Sequence, residues 1–285
     1  MQISIKTLCF YLFFYLSNNL VGQTPNPLID KKNIFDQQRW VDSIYSKLSL
    51  EEKVGQLFMP MVFTERDSSH FHFTLNLIKK YKVGGLVFSL GGPVEQTKWL
   101  NAFQRESKVP LMTAMDAEWG VAMRLDSVMP FPWPMTLGAI KDSTLLRKIG
   151  KRMGMQEKRL GIHYSFGPTL DINTNPKNPI IGNRSYGSSP DRVIRQALAI
   201  MKGHQEAGIL TSGKHFPGHG DTSKDSHKTL PTVSFSSKRL KEVEFEPYRR
   251  LIKSGLTSVM VSHLNVPSIS EKGLPTSLSK DVIQR

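Results

Sequence analysis

Leu210-Thr211-Ser212-Gly213-Lys214-His215-Phe216-Pro217-Gly218-His219-Gly220 starts as a β-prone run and ends in residues that forbid a helix. Residues 210–214 read as a strand. Pro217, Gly218 and Gly220 then break any helix, so Lys214, His215 and His219 are handed to a loop, where the backbone can aim several side chains at one point. The loop continues through Asp221-Thr222-Ser223-Lys224-Asp225-Ser226-His227, so that three imidazoles and two carboxylates fall within fourteen residues. Asp225 and His227 are the expected chemical pair. A carboxylate two residues from an imidazole can accept from one ring nitrogen, fix the tautomer and leave the other nitrogen to carry a proton near neutral pH.

Two plainer readings compete. His215, His219, Asp221 and His227 are residue types that bind zinc, although the helix that supports an HExxH site is ruled out here by the glycines. The histidines could instead only satisfy backbone groups of a polar loop.

Working outward, apolar β-prone segments alternate with segments of helical spacing. Residues 54–63, 84–90, 110–115, 165–172, 210–214 and 258–263 read as strands; residues 40–48, 73–81, 94–106, 143–160, 190–207 and 238–254 read as helices. Ser49-Leu50-Glu51-Glu52 carries a capping-box pattern. Strand–helix alternation predicts parallel βα units, whose functional groups collect at the carboxyl ends of the strands. Polar residues do follow consecutive strands there: Asp116 and Glu118, then Asp171 and Asn173, then Lys214 and His215, then His263 and Asn265. Such a shared rim favours a (β/α)8 TIM-type barrel over a doubly wound sheet, which uses mainly one switch point and often a glycine-rich dinucleotide turn, absent here. The fold class expected is α/β, an incomplete barrel with about six of eight strands.

The chain has 285 residues, 39% of them hydrophobic, in the range of a globular domain. Lys6 precedes the apolar run Leu8-Cys9-Phe10-Tyr11-Leu12-Phe13-Phe14-Tyr15-Leu16, and Gly22 precedes Gln23. Residues 1–22 therefore read as a secretory signal peptide too short to span a bilayer stably, with 23–35 a polar lead-in and 36–285 the barrel domain. A short membrane anchor is the competing reading. The expectation is an exported protein, periplasmic or secreted, with no stable membrane insertion once the signal is removed. The sole cysteine, Cys9, lies in that run, so the mature chain would hold no disulfide. A formal net charge of +14 is spread along the chain without a basic tract interleaved with aromatics, which argues against nucleic acid and for anionic envelope polymers.

The segments Asp116-Ala117-Glu118-Trp119-Gly120-Val121-Ala122-Met123-Arg124, Asn183-Arg184-Ser185-Tyr186-Gly187, and Lys214 to Gly220 followed by Asp225-Ser226-His227 together resemble glycoside hydrolase family 3. Within it they are similar to the bacterial β-N-acetylglucosaminidase branch, from about Leu48 to the last residue. The resemblance implies a glycan substrate gripped by Asp116, Arg124, Arg184, Lys214 and His215, an Asp225–His227 acid/base dyad, and no cofactor or metal. The plainer alternative is that Arg124 and Arg184 simply pair with Asp116 or Asp171. Trp119 departs from the pattern, which usually has glycine there; it either walls off the pocket or offers a sugar a stacking face.

A retaining glycosidase also needs an attacking group roughly 5 Å from the acid. The resemblance implies an aspartate after a seventh strand, in a segment like Ser-Asp-Asp or Thr-Asp-Ala, and the chain stops at Asp281-Val282-Ile283-Gln284-Arg285 without one. The expectation is a C-terminally truncated barrel whose nucleophile lies beyond Arg285. Glu118 and Asp171 are weighed as substitutes, but the resemblance gives their rim to binding. The rival readings are a non-catalytic sugar-binding module and a β-glucosidase of the same family.

Overall fold

A computed structural model describes residue 28 and residues 33–226 and 228–284. Six parallel strands form one sheet in sequence order: β1 Met61–Val62, β2 Gly85–Phe88, β3 Met112–Met115, β4 Tyr164–Ser165, β5 Leu210–Phe216 and β6 Ser258–Val261. Each strand pairs in parallel with the next, for instance Val87 with Ala114 and Gly213 with Val259, and β1 is not paired with β6 among the described residues. The sheet is therefore the α/β, open, six-stranded arrangement expected.

Local signals explain most elements. Asp67 caps the helix Ser68–Tyr81 by accepting from Ser69 and His70 N–H, and Asp142 caps Ser143–Arg159 through Thr144 and Leu145. Helices Pro93–Glu106 and Pro190–Glu206 open on proline, whose missing N–H costs nothing in the first turn. Helices Ser143–Arg159 and Pro190–Glu206 meet at Gly150 and Gly203, where a Cβ would stand 2.4 Å from the Ile200 carbonyl oxygen and 2.2 Å from that of Arg147. Only a hydrogen side chain lets the two backbones approach so closely.

Three corrections to the sequence reading have physical causes. Residues 54–63 are not one strand: the Ser49–Glu52 capping box draws Val54 into the helix Leu50–Gly55, leaving only Met61–Val62 as β1. The strand expected over 165–172 is reduced to Tyr164–Ser165 plus an isolated bridge from Thr169 to Lys214, because Pro168 has no N–H to donate to the ladder. The helix expected over 238–254 is broken into Ser237–Arg239, a π-helical turn Leu240–Glu244 and Glu246–Lys253, the last segment restarting around Pro247, which lacks the N–H needed to continue. A helix at Pro134–Gly138 was not anticipated.

Two apolar clusters hold the sheet to its helices. Val62, Leu86, Phe88 and Met115 pack against Ile78, Trp99 and Phe103, while Leu170 and Ile172 pack against Leu146, Met153, Ile200 and Tyr248. Phe88 and Phe103, each at most 1% exposed, contribute about 1.5–3 kcal/mol apiece by leaving water. No helix among the described residues is long and apolar enough to cross a membrane. Residues 1–22, read as a signal peptide, lie outside the described residues.

Candidate active site

Consecutive strands deliver ionisable side chains to the carboxyl end of the sheet. Asp116 directly follows β3, Lys214 and His215 lie within β5 rather than on the loop expected for them, because the strand runs on to Phe216 and ends only at Pro217, and Arg184 leaves the turn Gly182–Arg184. The Lys214–His215 and Phe216–Pro217 peptide bonds are cis. Together with Arg124, Phe166, His219, Ser226 and His263, these residues line a cavity of about 560 Å³.

The charges are interlocked. Lys214 Nζ lies 2.7 Å from Asp116 Oδ1 and 2.7 Å from Glu118 Oε1, with its side chain 1% exposed. Arg124 Nη2 donates to Asp116 Oδ2 at 2.7 Å. Arg184 grips Glu118 with two bonds, Nη2 to Oε1 at 2.7 Å and Nε to Oε2 at 2.9 Å, the planar fork geometry that makes arginine a strong carboxylate partner. Burial pushes the Glu118 carboxyl up, but Lys214 and Arg184 outweigh it and hold the group down at about 2. Burial likewise opposes ionisation of Asp116, and Lys214 with Arg124 still keeps it below its ordinary value. Buried charges persist only when paired this closely.

Asp171 organises the loop. Its carboxylate, fully buried, accepts from the backbone N–H of His219 at 2.7 Å and from that of His215, and it meets His215 Nδ1 at 2.7 Å. Burial raises its affinity for a proton; the His215 imidazole and the His219 N–H more than compensate, and the net shift is downward. His215 Nε2 is 3.4 Å from Arg184 Nη2. Because arginine can only donate, Nε2 is the accepting nitrogen in that contact, which puts the ring proton on Nδ1, facing Asp171. Gly220 follows in the same loop, and a Cβ there would stand 1.8 Å from the Ile172 carbonyl oxygen, so the loop closes on the end of the sheet only without a side chain.

Of the residues weighed as zinc ligands, the three that are described, His215, His219 and Asp221, have other partners. His219 shares hydrogen bonds with Thr222 Oγ1 at 2.6 Å and Ser226 Oγ at 2.9 Å, and Asp221 accepts from Thr174 at 3.1 Å. No three His, Cys, Asp or Glu converge as a metal-holding group among the described residues.

All five residues expected to bind substrate, Asp116, Arg124, Arg184, Lys214 and His215, line the one cavity. The ion-pair alternative is half met: Arg124 pairs with Asp116, whereas Arg184 pairs with Glu118 rather than Asp116 or Asp171. Glu118 and Asp171 sit behind the lining as holders of its cations and loop. Of the rim asparagines, Asn265 instead bonds Thr232 and Gly273, away from the cavity. His227 lies outside the described residues; its neighbour Ser226 lines the cavity, and the Asp225 backbone carbonyl accepts from Lys228 and Thr229. Trp119 is not a lining residue, so it does not wall the pocket; its ring stacks on Trp133 at 4.1 Å.

Residues 49–285 match the family described as "Glycosyl hydrolase family 3 N terminal domain". The chain belongs to glycosyl hydrolase family 3. Among this family's members it is 31% identical over 222 residues to beta-hexosaminidase A of Pseudoalteromonas piscicida, an alignment covering 73% of this chain and 37% of that protein. It is 26% identical over 244 residues to the beta-N-acetylglucosaminidase/beta-glucosidase of Cellulomonas fimi, covering 86% and 43%. The solved family 3 beta-N-acetylglucosaminidase from Paenibacillus sp. str. FPU-7 superposes with a TM-score of 0.77 at 38% identity, covering 83% of this chain and 46% of that one. The chain thus spans less than half the length of each of these three relatives.

Proposed function

We propose that this family 3 chain forms the sugar-gripping and proton-donating part of an exported β-N-acetylglucosaminidase that removes terminal β-linked N-acetylglucosamine from cell-wall or chitin-type glycans. The observation that carries this is the convergence of Asp116, Arg124, Arg184, Lys214 and His215 on one cavity at the strand ends. A sugar buried there loses water from hydroxyls that point in fixed directions, and ionised partners make the stronger hydrogen bonds that offset the loss. The name of the Paenibacillus relative supports the same sugar, and that of the Pseudoalteromonas relative supports a hexosaminide more broadly.

In this reading Asp225 holds one nitrogen of His227, and the other passes a proton to the departing glycosidic oxygen. Ser226, between them in sequence, lines the cavity, which supports a loop that reaches the substrate. The anomeric carbon is attacked by a carboxylate other than Asp116, Glu118 or Asp171. Each of those is committed to a neighbouring cation or to the loop backbone at 2.7 Å, and an attacking oxygen so engaged is a poor nucleophile. A covalent glycosyl-enzyme intermediate then forms and is hydrolysed with the same imidazole acting as base.

The test is release of 4-nitrophenol from its β-N-acetylglucosaminide by the full-length protein. His227→Ala should slow it by ~100-fold or more, as for a lost general acid. Equal rates in parent and variant would remove the dyad from the mechanism. The double name of the Cellulomonas fimi relative favours a second reading as β-glucosidase, and comparing the glucoside with the N-acetylglucosaminide separates the two.

A further inference from the structure

We propose that His219 and Ser226 form a latch that holds the proton-donating segment against the charged cavity, which makes both of them positioning residues for the proton transfer. This rests on the reading of Asp225 and His227 as the acid/base dyad. Ser226 stands between those two in sequence, lines the cavity and brings its Oγ to 2.9 Å from His219 Nε2. Ser223 and Lys224 just before it are exposed, so an anchor into the buried body fixes a segment that the chain alone would leave loose.

His219 can serve as that anchor because it is pinned on every side. The residue is 2% exposed. Its N–H donates to Asp171 Oδ1 at 2.7 Å, its carbonyl accepts from Asn178 Nδ2 at 2.8 Å, and its Nδ1 lies 2.6 Å from Thr222 Oγ1. Burial holds the imidazole below its ordinary value despite the neighbouring Asp171 carboxylate, so at neutral pH one ring nitrogen donates and the other accepts. The hydroxyls of Thr222 and Ser226 can each do either, and both tautomers therefore keep both contacts.

Asp171 ties the latch to the sugar-gripping side chains. Its Oδ2 meets His215 Nδ1 at 2.7 Å while its Oδ1 takes the His219 N–H, and the two imidazoles stand edge to face with centroids 6.1 Å apart. One buried carboxylate thus sets the spacing between a ring that grips sugar and a ring that anchors the dyad segment. That spacing governs the rate, since a displacement of about 1 Å in a reacting group can cost on the order of 100-fold. The effect falls on the leaving group: proton delivery must coincide with departure of the glycosidic oxygen, whereas the hydroxyls of the bound ring are held by other residues.

The leaving-group dependence of kcat/KM in the full-length protein tests this, with chitobiose, whose departing sugar needs the proton, and 2,4-dinitrophenyl β-N-acetylglucosaminide, whose leaving group departs as a stable anion. Ser226→Ala should lower kcat/KM about tenfold for chitobiose and less than about twofold for the dinitrophenyl substrate, and Ser226→Thr, which keeps the hydroxyl, should restore most of the chitobiose rate. In a His219→Ala background Ser226→Ala should cost chitobiose hydrolysis little more, because the contact is already gone; if His219→Ala fails to fold, the Ser226 variants decide. Equal losses on the two substrates, no loss on either, or a Ser226→Ala loss undiminished in the His219→Ala background would overturn the latch. His227→Ala separates the two readings. If it slows both substrates equally, the dyad falls and the latch with it; if its loss depends on the leaving group while Ser226→Ala matches the parent, the latch alone falls.

Discussion

The two ends of the sheet carry hollows of similar size and opposite character. At the carboxyl end the cavity of about 560 Å³ is bounded by Asp116, Arg124, Arg184, Lys214 and His215; at the amino end a groove of about 670 Å³ beside β1 is bounded by Leu50, Val54, Phe58, Leu77 and Tyr81. The larger hollow offers almost nothing that could orient a hydroxyl. Volume therefore does not locate the chemistry here; the costly assembly of buried, mutually paired charges does, because such groups are retained only where a fold or a ligand needs them. The contrast also fits parallel βα architecture, in which the carboxyl ends of strands hold the loops that act and the amino ends hold packing.

The difference can be attacked from the charged side first. Lys214→Met leaves Asp116 and Glu118 short of a buried cation, and a loss of about 3–5 kcal/mol in chemical denaturation is expected, together with loss of sugar binding. Acid titration of stability comes next. Glu118 has a folded value of about 2 against an ordinary 4.5, so its contribution is complete above about pH 4.5 and is lost as pH falls toward 2. Glu244 has the opposite sign. Burial pushes it up to about 7 from 4.5 despite Arg239, so stability is lost as pH rises from about 4.5 to 7, and Glu244→Gln should flatten that arm of the profile. A flat profile in the parent over both windows would refute these assignments.

A smaller effect is expected at the loop. Gly220→Ala forces a methyl onto the Ile172 carbonyl oxygen, and about 1–3 kcal/mol should be lost, with weaker sugar binding because the loop bearing His219 and Ser226 shifts. The apolar end supplies the smallest change. Phe58→Ser, at a position 60% exposed, should move stability by no more than about 0.5 kcal/mol and leave sugar affinity unchanged. Loss of sugar binding in that variant would erase the distinction between the two ends.

Much of this contrast was legible in the sequence. The strands at Gly85–Phe88, Met112–Met115 and Ser258–Val261 and the rim residues after them follow from apolar runs punctuated by turn chemistry. The errors fall where local signals compete. Val54 belongs to an apolar run yet also to the turn capped by Ser49, and the cap prevails. Leu240–Glu244 has helical spacing, but Pro247 interrupts the hydrogen bonding that would have continued it. In the site, the identities of Asp116, Lys214 and His215 were readable, whereas the roles of Glu118 and Asp171 were not. Whether a carboxylate attacks or merely holds a lysine depends on what lies 2.7 Å away across the barrel, and Glu118 and Lys214 are 96 residues apart in sequence. Trp119 stood out as a departure from the family pattern, but its partner Trp133 is visible only in three dimensions.

The central claim is that the interlocked charges at the carboxyl end hold an N-acetylglucosamine ring. A crystal structure of the full chain soaked with N-acetylglucosamine tests it most directly. The account predicts the ring in the strand-end cavity, its hydroxyls within hydrogen-bond distance of Asp116, Arg124, Arg184, Lys214 and His215. A ring lodged in the groove beside β1, or a strand-end cavity holding only water at saturating sugar, would contradict it.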